Sequence, residues 1–306
     1  MPPLTRSILN CHLVRSVVGQ AFLPAAAFQA ALSASPATAP PPPIPIEWFP
    51  MHPNGAKARL KAGGTVVGPY VRHADAGLAE ILCYLGFDFL LFDGEHAPIG
   101  PRECENLARV CELTGVTSIA RVPSNQPWMI GTTLDTGIQG IQVPMVNSAA
   151  EAEAAIRAAK YSPVGSRGLA GARAANYGMK QPFSFPAHIR NSNEESLVVL
   201  QVETQAAIDN LPEIVQVPGS DVIFIGPTDL SLSLGHPGDF RHPEVQAAFE
   251  KISRIVNDSG IALGVLANTV ESSLEWRARG ARYILTVFEA LMAPVIRNYI
   301  QTVRGE

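Results

Sequence analysis

The sequence predicts a (β/α)₈ barrel, and three observations predict it. From residue 55 onward, short apolar runs alternate with helical patterns eight times, the arrangement that builds a parallel sheet closed on itself. The runs are solidly apolar rather than alternating, as strands buried on both faces must be. Several of them end abruptly in charged or amide side chains, and in such barrels the C-terminal strand ends carry the ligand site.

The elements follow in order. Candidate strands are Thr65 to Val71, Asp88 to Asp93, Val116 to Arg121, Gly140 to Pro144, Leu197 to Glu203, Asp221 to Gly226, Ile261 to Leu266 and Arg282 to Val287. Each is an apolar, β-rich run of strand length. Between and after them, Ala74 to Leu85, Pro101 to Thr114, Trp128 to Thr136, Ala149 to Lys160, Ala206 to Val215, Pro243 to Ser259, Val270 to Arg279 and Leu291 to Val303 are long enough for helices. Start signals agree. Ser148 with Glu151 and Asn268 with Glu271 have capping-box spacing, and Pro243 suits a first helical position.

Composition limits the function classes. The 306 residues are 47% hydrophobic and 16% charged, enough for a sizeable core; about 250 residues is the usual size of such a barrel. A net charge of -4 and a pI near 6.0 give no basic footprint for nucleic acid. No apolar stretch approaches the roughly 18 residues of a membrane span. Cys11, Cys83, Cys104 and Cys111 contain no C-x-x-C pair, so a reduced compartment with neither structural disulfide nor zinc site is expected.

Residues 1–50 differ from the rest. Residues 1–46 contain no Asp or Glu, carry Arg6 and Arg15 among Ala, Ser and Leu, and run into Pro40 to Pro43 with Pro45 and Pro50 behind. Such a segment builds no core, and its proline run is a stiff, extended spacer. Three readings stand side by side: a mitochondrial presequence, a natural start at Met51, and a disordered extension. The expected location is cytoplasmic, or mitochondrial if residues 1–50 are a presequence. Residues 51–306 form the barrel domain.

The densest chemistry lies in Phe87 to His96, where an apolar strand ends in Asp93, Glu95 and His96. The third run ends in Arg121, the fifth in Gln201 and Glu203, and the sixth in Gly226 followed by Thr228 and Asp229. Taken singly, Glu203 reads as a helix cap, Asp229 as an Asx turn and Arg121 as a strand-end ion pair. Their joint placement at neighbouring strand tips argues for a site instead. Glu203 and Asp229 offer two hard oxygen ligands at successive tips, which suits an octahedral Mg²⁺ or Mn²⁺ with open positions. Zinc is less favoured because no second imidazole or thiolate stands near.

Six motifs in order carry a family resemblance. They are Phe92-Asp93-Gly94-Glu95-His96-Ala97-Pro98, Ala120-Arg121-Val122-Pro123, Leu134 to Pro144, Tyr161 to Gly168, Gln201-Val202-Glu203-Thr204, and Phe224 to Gly235. With them the chain resembles, from about Gly55 to Val303, the metal-dependent pyruvate aldolases of the HpcH/HpaI type. The resemblance implies a TIM barrel of the phosphoenolpyruvate/pyruvate type that cleaves a 4-hydroxy-2-oxo acid to pyruvate and an aldehyde, reversibly, through a metal-bound pyruvate enolate. It implies that Glu203 and Asp229 hold the metal, Mg²⁺ or Mn²⁺ with Co²⁺ admissible. Arg121 would offset charge on the keto oxygen, and the backbone around Gly226, Thr228 and Asp229 would hold the pyruvate carboxylate. Gln201 would support Glu203 or touch pyruvate. His96 would be the acid/base residue, oriented by a carboxylate for which Asp93 is the first candidate and Asp135 the second. Small-molecule partners and a homo-oligomer, trimer or hexamer, are implied as well.

Three further expectations complete the reading. Lys57, Lys61, Lys160, Lys180 and Lys251 all fall on predicted helices or loops, so no lysine Schiff base is expected. The 36 residues from Tyr161 to Ser196 are read as a lid or wall of the aldehyde site, or as a subunit contact. The eighth strand's end, Val287-Phe288-Glu289, departs from the family's Gly-x-Asp, which alters the pocket wall. The alternatives are a macrophomate-synthase-like enzyme that decarboxylates oxaloacetate and a catalytically silent barrel used for binding; Asp93, His96, Arg121, Glu203 and Asp229 all being present argues against the latter.

Overall fold

A computed structural model describes residues 53–305; the expected extension over residues 1–50, and Cys11 with it, lies outside the described residues. Eight parallel strands close in sequence order into a barrel: β1 (Val66–Val71), β2 (Phe89–Asp93), β3 (Thr117–Arg121), β4 (Gly140–Val143), β5 (Leu197–Val202), β6 (Val222–Ile225), β7 (Ala262–Leu266) and β8 (Ala281–Val287). The ring closes through β1 and β8, with Val66 opposite Tyr283 and Tyr70 opposite Val287. The predicted (β/α)₈ barrel is therefore the observed fold, and each predicted strand boundary falls within one residue of the structure's.

Period-two alternation divides the core into an inner and an outer layer. Phe89, Leu91, Ile119, Val199, Phe224, Tyr283 and Leu285 fill the barrel. Tyr283 stacks on Phe89 at 4.5 Å between centroids and meets Phe224 edge-on at 6.2 Å, so aromatic rings plug the lumen below the site. Leu90 and Phe92, with the opposite parity, pack outward against helices.

The helices are α1 (Gly55–Lys61), α2 (Ala76–Tyr84), α3 (Pro101–Thr114), α4 (Pro127–Asp135), α5 (Ala149–Ala159), α6 (Phe185–Glu195), α7 (Gln205–Asp209), α8 (Leu211–Ile214), α9 (Pro227–Ser233), α10 (Pro243–Ser259), α11 (Val270–Ala278) and α12 (Phe288–Arg304). Ser148 caps α5 as expected, accepting from Glu151 N. The cap of α11 is Thr269, paired with Ser272, and not Asn268. Asn268 is engaged elsewhere, its Oδ1 accepting the Val287 N–H at 2.8 Å. The helix predicted over 206–215 is two short pieces, because Pro212 cannot continue α7 and instead starts α8.

The long connection is not a lid. It joins the C-terminal end of α5 to the N-terminal end of β5, and both lie at the base of the barrel, opposite the strand tips. It is ordered by a 3₁₀ turn at Arg173–Gly178 and by α6. Arg173 binds both oxygens of Glu112 and the Thr136 carbonyl, and Tyr177 donates to Glu105 on the outer face of α3 at 3.1 Å. At the base, the Lys57 and Lys160 ammoniums both donate to the Ser196 carbonyl, at 2.7 and 2.6 Å, and Lys57 also meets Asp221 at 3.1 Å. Burial first, and then Lys57, push Lys160 down to about 7. Neither lysine is at the strand tips.

Two surface facts remain. Helix α12 buries none of its residues, and Leu291, Val295, Ile296, Tyr299, Ile300 and Val303 stand exposed along it. Among the described residues, no helix is long and apolar enough to cross a membrane.

Candidate active site

The inward-facing positions at the strand tips form one polar layer above the aromatic plug. Asp93 and Arg121 are paired in register across β2 and β3. The Arg121 guanidinium donates from Nε to Asp93 Oδ1 at 2.9 Å and from Nη2 to Oδ2 at 2.7 Å, a bidentate fork. It also lies over the Tyr70 ring, 4.7 Å from its centroid. Burial works to raise Asp93, but the Arg121 fork outweighs it and holds the carboxyl below its ordinary value.

Asp93 has a second duty that removes it from the role expected of it. Its Oδ1 accepts the backbone N–H groups of Glu95 and His96, at 3.1 and 3.2 Å, which fixes the turn after β2. The carboxylate nearest the His96 ring is Glu95, with Oε2 3.8 Å from Nε2. Asp93 thus shapes the loop that carries His96 and does not orient the imidazole. Glu95, which the sequence left without a role, also lies 2.9 Å from Arg121 Nη1 through the same Oε2. That oxygen is enclosed and accepts no aligned hydrogen bond, and burial, together with Asp93 and Asp229, raises the carboxyl against the pull of Arg121. The His96 side chain is 60% exposed at the rim.

Glu203 follows β5 and is buried. Its Oε1 accepts the Met145 N–H at 2.8 Å, and its Oε2 accepts from Gln201 Nε2. The orientation continues inward: Gln142 Nε2 donates to Gln201 Oε1 and, at 2.9 Å, to the Tyr70 hydroxyl. Burial is the main cause that pushes Glu203 up to about 7; Glu95 and Asp229 add to it, while Gln201 and Met145 oppose. Met145 is held at φ 56, a left-handed conformation that aims its N–H at the carboxylate. Gly226 allows the approach of β6. A Cβ there would lie 2.2 Å from Glu203 Oε2, so no other residue fits beside that carboxylate. Asp229 stands in the first turn of α9, with Thr228 exposed before it.

Gln142 was missed by sequence reasoning. The available signal was its parity, since it is an amide in an apolar run with the same inward register as Gln201. Asp135 was expected near His96 and is not there within this chain. It ends α4 at the base, where Arg167 Nη2 binds its Oδ1 at 2.6 Å and lies over the Tyr161 ring.

The donor set fits a hard divalent cation. Glu95, Glu203 and Asp229 feel one another's charge, Glu95 Oε2 has no aligned donor, and all are oxygen ligands. A second group, His236, His242 and Glu244, has ligand atoms within 4.8 Å of one another. Its two rings are stacked, however, 3.4 Å between centroids and 19° apart. A zinc-type bond of about 2 Å lies in the plane of each imidazole, and near-parallel planes do not converge over that distance. His236 instead pairs with Glu244 at 2.8 Å. A cavity of about 290 Å³ near Cys104, Ala120, Trp128 and Met129 lies on the outer side of β2 and β3, between α3 and α4, and not in the barrel mouth.

The model of the HpcH/HpaI aldolase/citrate lyase family matches residues 67–292. The chain belongs to this family. A 4-hydroxy-2-oxo-heptane-1,7-dioate aldolase of Escherichia coli is 39% identical over 241 residues, which cover 76% of this chain and 87% of that one. A 4-hydroxy-2-oxovalerate aldolase of Rhodococcus jostii is 39% identical over 232 residues, 76% of this chain and 88% of that one. An HpcH/HpaI family structure from Burkholderia cenocepacia superposes with a TM-score of 0.77 at 31% identity, covering 82% of this chain and 99% of that one. The HpcH/HpaI chain is thus an enzyme, a carbon–carbon lyase of the aldolase kind, as its strand tips suggested.

Proposed function

We propose that this HpcH/HpaI enzyme cleaves a 4-hydroxy-2-oxo acid to pyruvate and an aldehyde, and joins them in reverse, with a divalent cation at Glu203 and Asp229. The observation that carries the reading is the placement of buried Glu203 and of Asp229 at the tips of the neighbouring strands β5 and β6, beside an Arg121 already locked by Asp93. The relatives named as aldolases support it.

Each residue then has a task. The cation, Mg²⁺, Mn²⁺ or Co²⁺, supplies Lewis-acid polarisation of the 2-oxo group when bound. Arg121 faces the keto oxygen and offsets the charge that develops on it as the bond between C3 and C4 breaks; one such preorganised donor is worth about 3 kcal/mol. Gln201 orients Glu203 and borders the pyruvate subsite. The pyruvate carboxylate rests against the backbone at Gly226, Thr228 and Asp229. His96, exposed at the rim, takes the C4 hydroxyl proton during cleavage through a water and returns it in synthesis, with Glu95 as the carboxylate beside it. In such an enzyme no lysine is needed, and Lys57 and Lys160 are spent at the base.

The unburied apolar face of α12 supports a homo-oligomer. Most other long helices of the ring bury several residues against the barrel, whereas α12 buries none, and a second copy would bury its apolar face.

The test is proton NMR of pyruvate in D₂O with chelator-treated enzyme. Methyl exchange that appears on adding Mg²⁺ or Mn²⁺, followed by adduct formation with an aldehyde, is expected. Absence of metal-dependent exchange would remove the reading.

A further inference from the structure

Met145, the second residue after β4, has φ 56; among the described non-glycine residues only Asn176 and Tyr177, in the 3₁₀ turn of the long connection, share a positive φ. That conformation is uphill for a residue with a Cβ, and it persists only where surrounding contacts over-determine it. Packing of the Met145 side chain is not the cause, since the residue is 48% exposed. Its peptide is held instead by Asn147, a residue that sequence reasoning passed over.

The Asn147 amide has a different duty at each end. Its Nδ2 donates to the Met145 carbonyl at 2.8 Å, and its Oδ1 accepts from the Thr204 hydroxyl. Because a carbonyl only accepts, the first bond fixes which end faces which partner. The Asn147 main chain is pinned as well: its N–H donates to Glu151 Oε2 at 2.6 Å, and its carbonyl accepts from Asn210 Nδ2 at 2.8 Å. Between Met145 and Asn147, the Val146 N–H donates to the Gln201 carbonyl at 3.0 Å.

Thr204 is the residue after Glu203, so these contacts close a ring. It runs from the Glu203 carboxylate to the Met145 N–H at 2.8 Å, through the Met145 carbonyl to the Asn147 amide, and back through the Thr204 hydroxyl to the backbone that carries Glu203. One side chain thereby ties the donor that Glu203 Oε1 uses to the chain that bears Glu203. An ionised Asp at 147 would present only acceptors to the Met145 carbonyl, and Ala would present nothing. Without that bond the Met145 turn is free to relax toward negative φ, and its N–H loses its aim at Glu203.

We propose that Asn147 is a positioning residue for the cation site: it holds Met145 in the left-handed conformation and so keeps the Glu203 carboxylate oriented for its ligand. The assignment rests on the aldolase reading, with its cation at Glu203 and Asp229. Asn147 acts through Met145 and touches neither substrate nor cation.

The experiment is titration of the chelator-treated full chain with Mn²⁺ by calorimetry. Asn147→Ala should weaken binding about 10-fold or more, the usual cost of removing a group that orients a metal ligand. Met145→Gly placed in that variant should restore most of the loss, because glycine adopts the left-handed conformation without a clamp. Thr204→Val keeps the shape and removes the hydroxyl; it should give a smaller loss relieved by the same glycine, and it takes the place of Asn147→Ala, read by the same criteria, if that variant does not fold by circular dichroism. Wild-type affinity in Asn147→Ala, or a loss that Met145→Gly does not relieve, overturns the role of Asn147 and leaves the aldolase reading standing. So does an equal gain from Met145→Gly in the wild-type background, which would mark a general effect of that glycine. A wild type that binds no Mn²⁺ overturns the cation at Glu203 and Asp229, and the role of Asn147 with it.

Discussion

Asp93 holds Arg121 from the neighbouring strand in a two-point fork, Nε to Oδ1 at 2.9 Å and Nη2 to Oδ2 at 2.7 Å, and does so with both side chains buried. The fork fixes the guanidinium plane that faces the proposed keto oxygen. Asp93→Asn keeps the shape and removes the charge, so kcat/KM should fall roughly 10- to 100-fold, and Arg121→Lys, which loses the planar fork, should fall about 100- to 1,000-fold. A variant of either kind with wild-type kcat/KM would take the pair out of the mechanism. Because Arg121 holds the Asp93 carboxyl below its ordinary value of 3.8, the pair's stabilisation is present above that pH. It is lost only as pH falls through the lower folded value.

Glu203 should make the metal-free enzyme sensitive to pH in the opposite sense. Its carboxyl is pushed up to about 7 from 4.5, so its contribution to stability is complete below 4.5 and is lost as pH rises toward 7, by about 3 kcal/mol in total. Thermal unfolding of chelator-treated protein should show Tm declining across that window. Added Mg²⁺ should cancel the decline at neutral pH, and Glu203→Gln should flatten the profile. A flat wild-type profile would mean that burial does not raise the Glu203 carboxyl.

Gly226→Ala tests the same carboxylate sterically. The new Cβ would press on Glu203 Oε2 at 2.2 Å and on Glu203 Cβ at 2.9 Å, so the side chain has to leave its place beneath Met145 and Gln201. Divalent-cation affinity, read by calorimetry, should drop about 10-fold or more, with the circular dichroism spectrum kept. Retained affinity would place the cation elsewhere.

Assembly should depend on α12. Val295 and Tyr299 are 70% and 68% exposed on its apolar face, and Val295→Asp with Tyr299→Asp puts two charges there. Light scattering should show a mass several times 32.6 kDa for the wild type and a shift toward that monomer mass for the double variant. A wild type that is itself monomeric would exclude the oligomer.

The barrel was legible because its strands are dense apolar runs, with no short polar strand to hide the period. Helices were less so at two places: α1, started by Asn54, is only 7 residues long, and α6, started by Ser184, lies inside the stretch read as one long connection. Glu203 and Asp229 were placed from their strand tips alone. The direction in which a carboxylate points was not, since it depends on the turn after the strand; hence Asp93 was assigned to a ring that Glu95 is nearer to. The location of residues 161–196 was deducible after all. A segment running from a helix end to a strand start lies at the base of such a barrel, whatever its length suggests.

The amides between Tyr70 and Glu203 have one further consequence. An ionised Glu203 demands N–H groups facing it, which sets Gln201 and then Gln142 in single orientations and leaves Gln142 Oε1 without a donor. A protonated Glu203 would permit both amides to turn over together, with Tyr70 then donating its own hydroxyl proton to Gln142. The charge state of one carboxyl is in this way written across three strands of the barrel, as a sense of direction rather than a displacement.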